Sequence, residues 1–418
     1  METYAHILLF ASPSFFILVL AEKLYGKFVK GDDFKSMDMI SSLSSGYTNT
    51  LKDILGIGIS IITYTWLVEH VALFHIPYTW LNVVIAFVVL DFAGYWGHRF
   101  NHQINFFWNQ HLIHHSSEEF NLACALRQSI SDLISFFTIF LLPAALLGVD
   151  PKIIAIVAPI QLFAQFWYHT TYIGKMGFLE KVIVTPSHHR VHHAINPEYI
   201  DKNHGQIFIF WDKWFGTFQE ELSDVPPVYG ITRPVRTWNP IKINYQHLWL
   251  MIQDAFRAKN WQDKLRIWIM PTGWRPKDVE EKYPVYKIEN PYTYEKYYPQ
   301  SSKPLEFWSW IQFISTFGFL MLFFEVVPDL STAQLFTYGL FLFCSVYAYT
   351  ELMDENPNAF WFEWGKNAYG FYLFTVNGAL WFGVEGTQVA VPVYFILSTL
   401  MAFYFSRKAV AVPKSTAQ

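Results

Sequence analysis

Charge is scarce in this chain. Asp, Glu, Lys and Arg make up 15% of its 418 residues, against roughly 25% in ordinary soluble domains. Cys124 and Cys344 are the only cysteines, too few for a disulfide framework, and neither sits at a ligand-like spacing. No basic tract marks a nucleic-acid surface, and a net charge of −4 adds nothing toward one. Gly56-Ile57-Gly58 lacks a third glycine and lies in an apolar run, so it is no dinucleotide fingerprint. A P-loop is missing too, as is a haem-binding cytochrome segment. Any redox chemistry would therefore draw its electrons from outside the chain.

What the chain has instead is apolar length. Hydrophobic residues reach 52% and aromatics 19%, concentrated in about nine runs. These are Tyr4–Leu20, Ile54–Val68, Tyr78–Tyr95, Ile130–Leu147, Ile153–Trp167, Phe307–Val327, Ala333–Tyr349, Tyr369–Val384 and Val389–Phe405. Several fall short of the roughly 20 residues a spanning helix needs. The pattern predicts an all-α, multi-pass membrane bundle carrying a cytoplasmic, histidine-rich metal-binding cap. Met1-Glu2-Thr3 has no basic n-region, so the first run is read as retained rather than as a signal peptide. If every run crosses, all but Lys152 of the 30 Lys and Arg residues fall on one side. The positive-inside rule makes that side cytoplasmic, with the N-terminus outside and the C-terminus inside. The membrane stays open between a bacterial inner membrane and the endoplasmic reticulum.

Four parts are expected along the chain. Residues 1–97 hold the N-terminal membrane helices and residues 98–220 a metal-binding region that includes two more. Residues 221–304, broken by Pro226, Pro227, Pro234, Pro240 and Pro276, form a cytoplasmic cap segment. Residues 305–418 return to the membrane.

The chemistry is concentrated in histidines. His98 and His102 form an H-x3-H, and His111, His114 and His115 an H-x2-H-H. His189, His192 and His193 repeat the second pattern with His188 before them, and His169 stands alone after the fifth run. Residues three and four apart share a helix face, so each motif presents its imidazoles together. One H-x3-H is weak, but two H-x2-H-H motifs are far beyond chance for 15 histidines in 418 residues. Such a set exceeds one metal's shell and fits two. A catalytic zinc usually takes three protein ligands, too few to account for it. Functionalising an unactivated C–H bond needs a metal-bound oxidant, because no side chain can supply one. A membrane metal transporter is the remote alternative, but it would place its ligands near the bilayer midplane rather than at helix ends. Glu118, Glu119 and Asn121, with Asp201 and Asn203, are candidates to orient the imidazoles from behind, or else to cap helices. Of these, Glu118 and Asn121 are the candidate catalytic residues. His6, His70, His75 and His247 read as structural.

These motifs, with Ala125-Leu126-Arg127-Gln128-Ser129, Gln165-Phe166-Trp167-Tyr168-His169-Thr170 and Trp211-Asp212-Lys213-Trp214-Phe215-Gly216, resemble the fatty acid hydroxylase/sterol desaturase superfamily of membrane di-iron enzymes. The resemblance is strongest to its alkylglycerol monooxygenase branch and covers about residues 90–220. It implies two iron ions held by His98, His102, His111, His114, His115, His169, His189, His192 and His193. His188 is a tenth candidate, as ligand or support. It further implies O2 and a bilayer lipid as substrates, with an external electron donor. In that branch the lipid is a glyceryl ether, cleaved after hydroxylation, and the donor is tetrahydrobiopterin. Gln103 stands where that branch has an acidic residue, and His204 where it has tyrosine. A sterol or fatty-acyl substrate, another reductant, and an extra ligand at His204 all stay open on the sequence.

Overall fold

The computed structural model describes residues 2–32, 34–60, 62–74, 79–135, 137–299 and 301–411. Its regular structure among the described residues is helical, apart from a two-residue parallel pairing of Ile59–Ser60 with Ile134–Ser135 and a few isolated bridges. The chain divides into two compact units. One comprises Met1–Ile57, Arg236–Ile243 and Lys296–Gln418, and the other Gly58–Val235 with Asn244–Glu295.

Helices α1 (Glu2–Tyr25) and α2 (Ser36–Ile54) open the first unit. The second unit contains α3 (Tyr64–Val71), α4 (Trp80–Gln103), α5 (Asn105–His115), α6 (Leu142–Leu146), α7 (Pro151–Ala164), α8 (Pro186–His192) and α9 (Phe210–Phe215). The boundary between units falls inside α10 (Pro240–Arg257), and α11 (Trp261–Arg266) with α12 (Lys277–Lys282) completes the second. The first unit then resumes with α13 (Lys303–Val326), α14 (Thr332–Met353), α15 (Ala359–Val376) and α16 (Thr387–Ala411).

Among the described residues, five helical stretches are long and apolar enough to span a bilayer. They are Ala5–Lys30, Trp80–Gln103, Lys303–Asp329, Thr332–Met353 and Thr387–Lys408. The other four apolar runs give no helix of that length and composition among the described residues, so the expected count of nine is not confirmed. Ile54–Val68 is broken by a turn after α2, and Ile130–Leu147 by short turns that leave only the five-residue α6. Ile153–Trp167 yields the 14-residue α7. Helix α7 packs on α4 through Ile153, Ile154 and Val157 against Ala86, Leu90 and Ala93.

Two departures in the first unit have one cause: polar groups satisfied by one another. Helix α2 escapes an apolar count because Ser36, Ser41, Ser42, Ser44, Ser45 and Thr48 interrupt it, yet all six are buried. Ser44 meets the Tyr349 hydroxyl at 2.5 Å and Thr48 bonds the Ser45 carbonyl, so these hydroxyls cost little inside. Residues 351–366, between two apolar runs, carry Glu351, Asp354, Glu355, Glu363 and Lys366. Helix α15 nevertheless starts at Ala359 and buries Glu363 and Lys366 almost completely. Lys366 donates to Glu363, and Gln312 of α13 donates to the same carboxylate at 2.7 Å. Ser398 of α16 also donates to it, and Asn367 donates to Ser398 and Thr399 at 2.8 Å each. Hydropathy penalises both charges, whereas the pair cancels them. Close packing completes the bundle: a Cβ on Gly370 would lie 2.5 Å from Phe395.

Lys366→Met should therefore strand a buried carboxylate and cost about 3–5 kcal/mol. Thermal unfolding in detergent should show a clearly lowered midpoint, largely restored in Glu363→Leu/Lys366→Met. An unchanged midpoint in the single variant would mean that the pair stabilises nothing.

Candidate metal centre

The site lies within the second unit. Helix α4 carries His98 and His102 one turn apart in its last two turns, and its run ends at the extended residue Ile104. Asn105 then fixes the start of α5. Its side-chain nitrogen donates to the Ile267 and Trp274 carbonyls at 3.0 Å, and its oxygen accepts from Gly273 N at 2.8 Å. His111, His114 and His115 follow on the closing turns of α5. Helix α8 begins with Pro186 at its first position and a reciprocal cap between Thr185 and His188. It presents His189, His192 and the terminal His193. His169 comes from the segment after α7, and Arg190 ties that segment to α8. Its guanidinium donates to the Thr170 and Ile173 carbonyls and to both oxygens of Glu221 at 2.7 Å.

Nine imidazoles converge in two abutting groups. The first is His98, His102, His111, His115 and His192, and the second His114, His169, His189 and His193. Within each group the candidate ligand atoms lie within 4.8 Å of one another. In the first, His111 Nε2 is 2.9 Å from His98 Nε2 and 3.2 Å from His115 Nε2. In the second, His189 Nε2 is 2.8 Å from His169 Nε2 and 3.0 Å from His193 Nε2. The groups meet where His115 stacks on His193 with ring centroids 4.3 Å apart.

The outer nitrogens explain the inward ones. Nδ1 of His98 faces the His204 carbonyl at 2.8 Å, and Nδ1 of His114 the Arg127 carbonyl at 3.2 Å. Nδ1 of His169 and of His192 face the Gln165 and Lys202 carbonyls at 2.9 Å. A carbonyl only accepts, so each Nδ1 carries the proton and each Nε2 lone pair points inward. His102 Nδ1 faces Asp201 Oδ1 at 3.4 Å instead. Nε2 of His102 and of His192 is buried with no hydrogen-bond partner among the described residues. Buried lone pairs arranged this way form a donor set for a borderline divalent metal. Aromatic rings close the site: Trp108 lies 5.2 Å from His102, Phe120 5.2 Å from His193 and Tyr168 4.3 Å from His189.

Electrostatics agree. Burial, then mutual repulsion, pushes the pKa of His111, His115, His189, His192 and His193 well below the usual imidazole range. Burial and repulsion from His114 do the same to His169. His114 is pushed down to about 3, by burial first and then by His98. The imidazoles are thus neutral, as metal ligation requires.

The other sequence candidates fall elsewhere. His188 stands outside both groups, with its Nδ1 accepting from Thr185 N at 3.3 Å, and burial lowers its pKa to about 4. Glu118 accepts from the Tyr294 hydroxyl at 2.8 Å. Asn121 closes a turn by accepting from Ala123 N at 3.0 Å. Asn203, at φ 55°, donates to the His188 and Gln219 carbonyls rather than to a ring. His204 is fully buried with its ring 5.0 Å from that of His102, and neither ring nitrogen has a partner among the described residues. His70 bonds the Trp66 carbonyl, His247 the Asn105 carbonyl, and His6 is exposed; none joins a group. His75 lies outside the described residues.

Three supports escaped the sequence reading. Asp91, fully buried in α4, accepts from Ile207 N, Phe208 N and Trp211 Nε1. Asp212 accepts from His204 N and Gly205 N at 2.7 Å. Together they shape the 203–211 loop that bonds His98. A Cβ on Gly205 would lie 2.8 Å from Asp212 Oδ2 and the Phe208 carbonyl, which leaves room for glycine alone. Arg127, also buried, donates to Ser116 Oγ at 2.7 Å and so holds the carbonyl that orients His114. A lone charge inside an apolar run, as Asp91 is, was the available signal.

These shifts fix a pH dependence for the metal-free protein. Folded-state pKa values lie below the unfolded 6.5, so the unfolded chain binds more protons once the pH falls beneath that value. Stability present above pH 6.5 is lost as the pH falls toward His114's value of about 3. Each neutral imidazole contributes about 1.4 kcal/mol per pH unit in that window. The unfolding midpoint of chelator-treated protein should therefore drop steeply as the pH falls from 6.5 to 4.5. A flat profile would contradict the neutral, buried cluster.

A profile of the fatty acid hydroxylase family matches residues 83–217. Alkylglycerol monooxygenase of Homo sapiens is 34% identical over 359 residues, 84% of this chain and 78% of the relative. The Xenopus tropicalis protein of that name is 32% identical over 358 residues, again 84% and 78%. The Danio rerio one is 37% identical over 274 residues, 64% of this chain and 59% of the relative. No solved structure matches. The histidine groups and this kinship fit a metal cofactor, iron, in an integral membrane protein. On this kinship the chain belongs to the alkylglycerol monooxygenase family of membrane enzymes that oxygenate lipids with O2.

Proposed function

We propose that this protein hydroxylates the carbon beside the ether oxygen of an alkylglycerol-type lipid at a di-iron centre. The hydroxylated product is a hemiacetal, which separates into an aldehyde and a glycerol derivative. The observation that carries the reading is the division of nine inward imidazoles into a group of five and a group of four. Two groups that abut, rather than one, suit a pair of ions that act together.

When bound, the irons supply the oxidant that O2 and two electrons generate, with the second oxygen atom leaving as water. The chain's residues do the remainder. Carbonyls of Arg127, Gln165, Lys202 and His204 keep four imidazoles in the ligating tautomer. Trp108, Phe120 and Tyr168 keep water from the rings, which protects a reactive oxidant from wasteful quenching. His188, bonded to the start of its own helix, is a positioning residue for His189 rather than a ligand. Glu118 and Asn121 hold the loop between α5 and Arg127, and their part in catalysis passes through that loop. The catalytic region is residues 98–220.

Electrons come from an external reductant, and tetrahydrobiopterin is the first to test, because the sequence motifs resemble the branch that takes its electrons from it. The histidine face lies on the cytoplasmic side, because most of the Lys and Arg fall in the segments that carry it or follow it, residues 98–127 and 168–306.

His111→Ala or His192→Ala should abolish aldehyde formation from 1-O-alkylglycerol and lower bound iron, while circular dichroism shows the helices retained. Full turnover in either variant would remove that residue from the centre. Glu118→Gln should lower turnover without emptying the metal groups, and iron loss equal to that of His192→Ala would make Glu118 a direct ligand.

A further inference from the structure

A cavity of about 110 Å³ adjoins the five-histidine group within the same unit. One wall is Trp108, whose ring also lies 5.2 Å from His102 and 5.7 Å from His115. Thr272, another wall residue, donates its hydroxyl to the His102 carbonyl at 2.5 Å. The cavity therefore shares structure with the five-histidine group without holding any of its ligands.

Its charge is unbalanced. Asp254 is the one carboxylate in the lining, and it is fully buried and engaged. Arg275 grips it through Nε at 2.5 Å and Nη2 at 2.9 Å, and spends Nη1 on the Tyr283 carbonyl. That pair neutralises itself. Two further cations line the cavity, Arg233 and Lys287. A backbone bond from Ile288 N to the Thr232 carbonyl, at 2.8 Å, brings their two segments side by side. Lys287 has a loose, exposed contact with Glu280 at 3.5 Å. Arg233 is half-buried and forms no hydrogen bond or ion pair with the described residues. Burial and the charge of Arg275 both oppose its protonated state, and Asp254 relieves this in part. His247, held neutral by burial and by Arg233, offers no counter-charge. A guanidinium fork beside an ammonium, in a cavity with a spent carboxylate, is short of an anion.

We infer that this cavity binds a phosphate group between Arg233 and Lys287, with Trp108 as one wall. The group arrives either as the headgroup phosphate of an ether lipid or as free phosphate. In the first case the cavity extends the proposed lipid reading, by selecting phosphorylated over uncharged glyceryl ethers.

The test is calorimetric titration of the full chain in detergent and phosphate-free buffer. Three probes are compared: inorganic phosphate, 1-O-alkylglycerol 3-phosphate and uncharged 1-O-alkylglycerol. Binding needs no turnover, so its outcome is independent of whether the metal centre cleaves ethers. Both phosphate-bearing probes should bind. Arg233→Gln should weaken them about tenfold or more, the loss of a charge-assisted contact, while Arg233→Lys should weaken them less. Lys287→Gln, at an exposed position, gives a second reading if Arg233→Gln fails to fold. Tighter binding of the lipid phosphate than of inorganic phosphate assigns a headgroup site, and equal binding a free-phosphate site. No heat from either phosphate probe, or equal affinity in the wild type, Arg233→Gln and Lys287→Gln, would overturn the inference.

Discussion

Burying nine imidazoles within van der Waals reach of one another is costly unless each is neutral and each lone pair has a use. Burial and mutual repulsion suppress protonation across the cluster. The backbone carbonyls of residues 127, 165, 202 and 204 then absorb the outer N–H groups and turn the lone pairs inward. Much of the second unit serves this single condition. Asp91, Asp212 and Gly205 fold the 203–211 loop, Arg127 and Arg190 clamp the chain segments around His114 and His169, and Asn105 sets the angle of α5. The Asp and Arg residues among them are buried charges held by hydrogen bonds, the form in which a low-dielectric interior tolerates them.

The same rule reaches the first unit. Glu363 and Lys366 sit in α15 because Gln312, Asn367 and Ser398 complete a network around them. Ser44 and Thr48 of α2 likewise bond to neighbouring carbonyls or to Tyr349. Such sets hold many of the buried polar groups among the described residues, whereas Nε2 of His102 and of His192 stands without a partner. Groups left unsatisfied after folding mark where a ligand belongs.

This contrast also explains what could be read from the sequence. The H-x3-H and H-x2-H-H spacings pointed to the ligand faces because helical geometry makes spacing a local property, and all nine histidines outside His188 fall into the two groups. The long apolar helices α1, α4, α13, α14 and α16 were legible for the same reason. Helices α2 and α15 were not, since their polarity is cancelled by partners distant in sequence. His188 shares the spacing of the candidate ligands but lies outside both groups, with its Nδ1 accepting from Thr185 N. Asp201 was legible as a support behind a histidine and meets His102. Asn203, taken with it, supports the loop instead.

The central claim is that the two histidine groups hold a pair of irons. Elemental analysis of the detergent-purified protein, expressed with excess iron, tests it most directly. The account predicts about two irons per chain, matching one ion for each group. Zinc alone, persisting after anaerobic expression in excess iron, would contradict it and leave a hydrolytic or purely structural metal site.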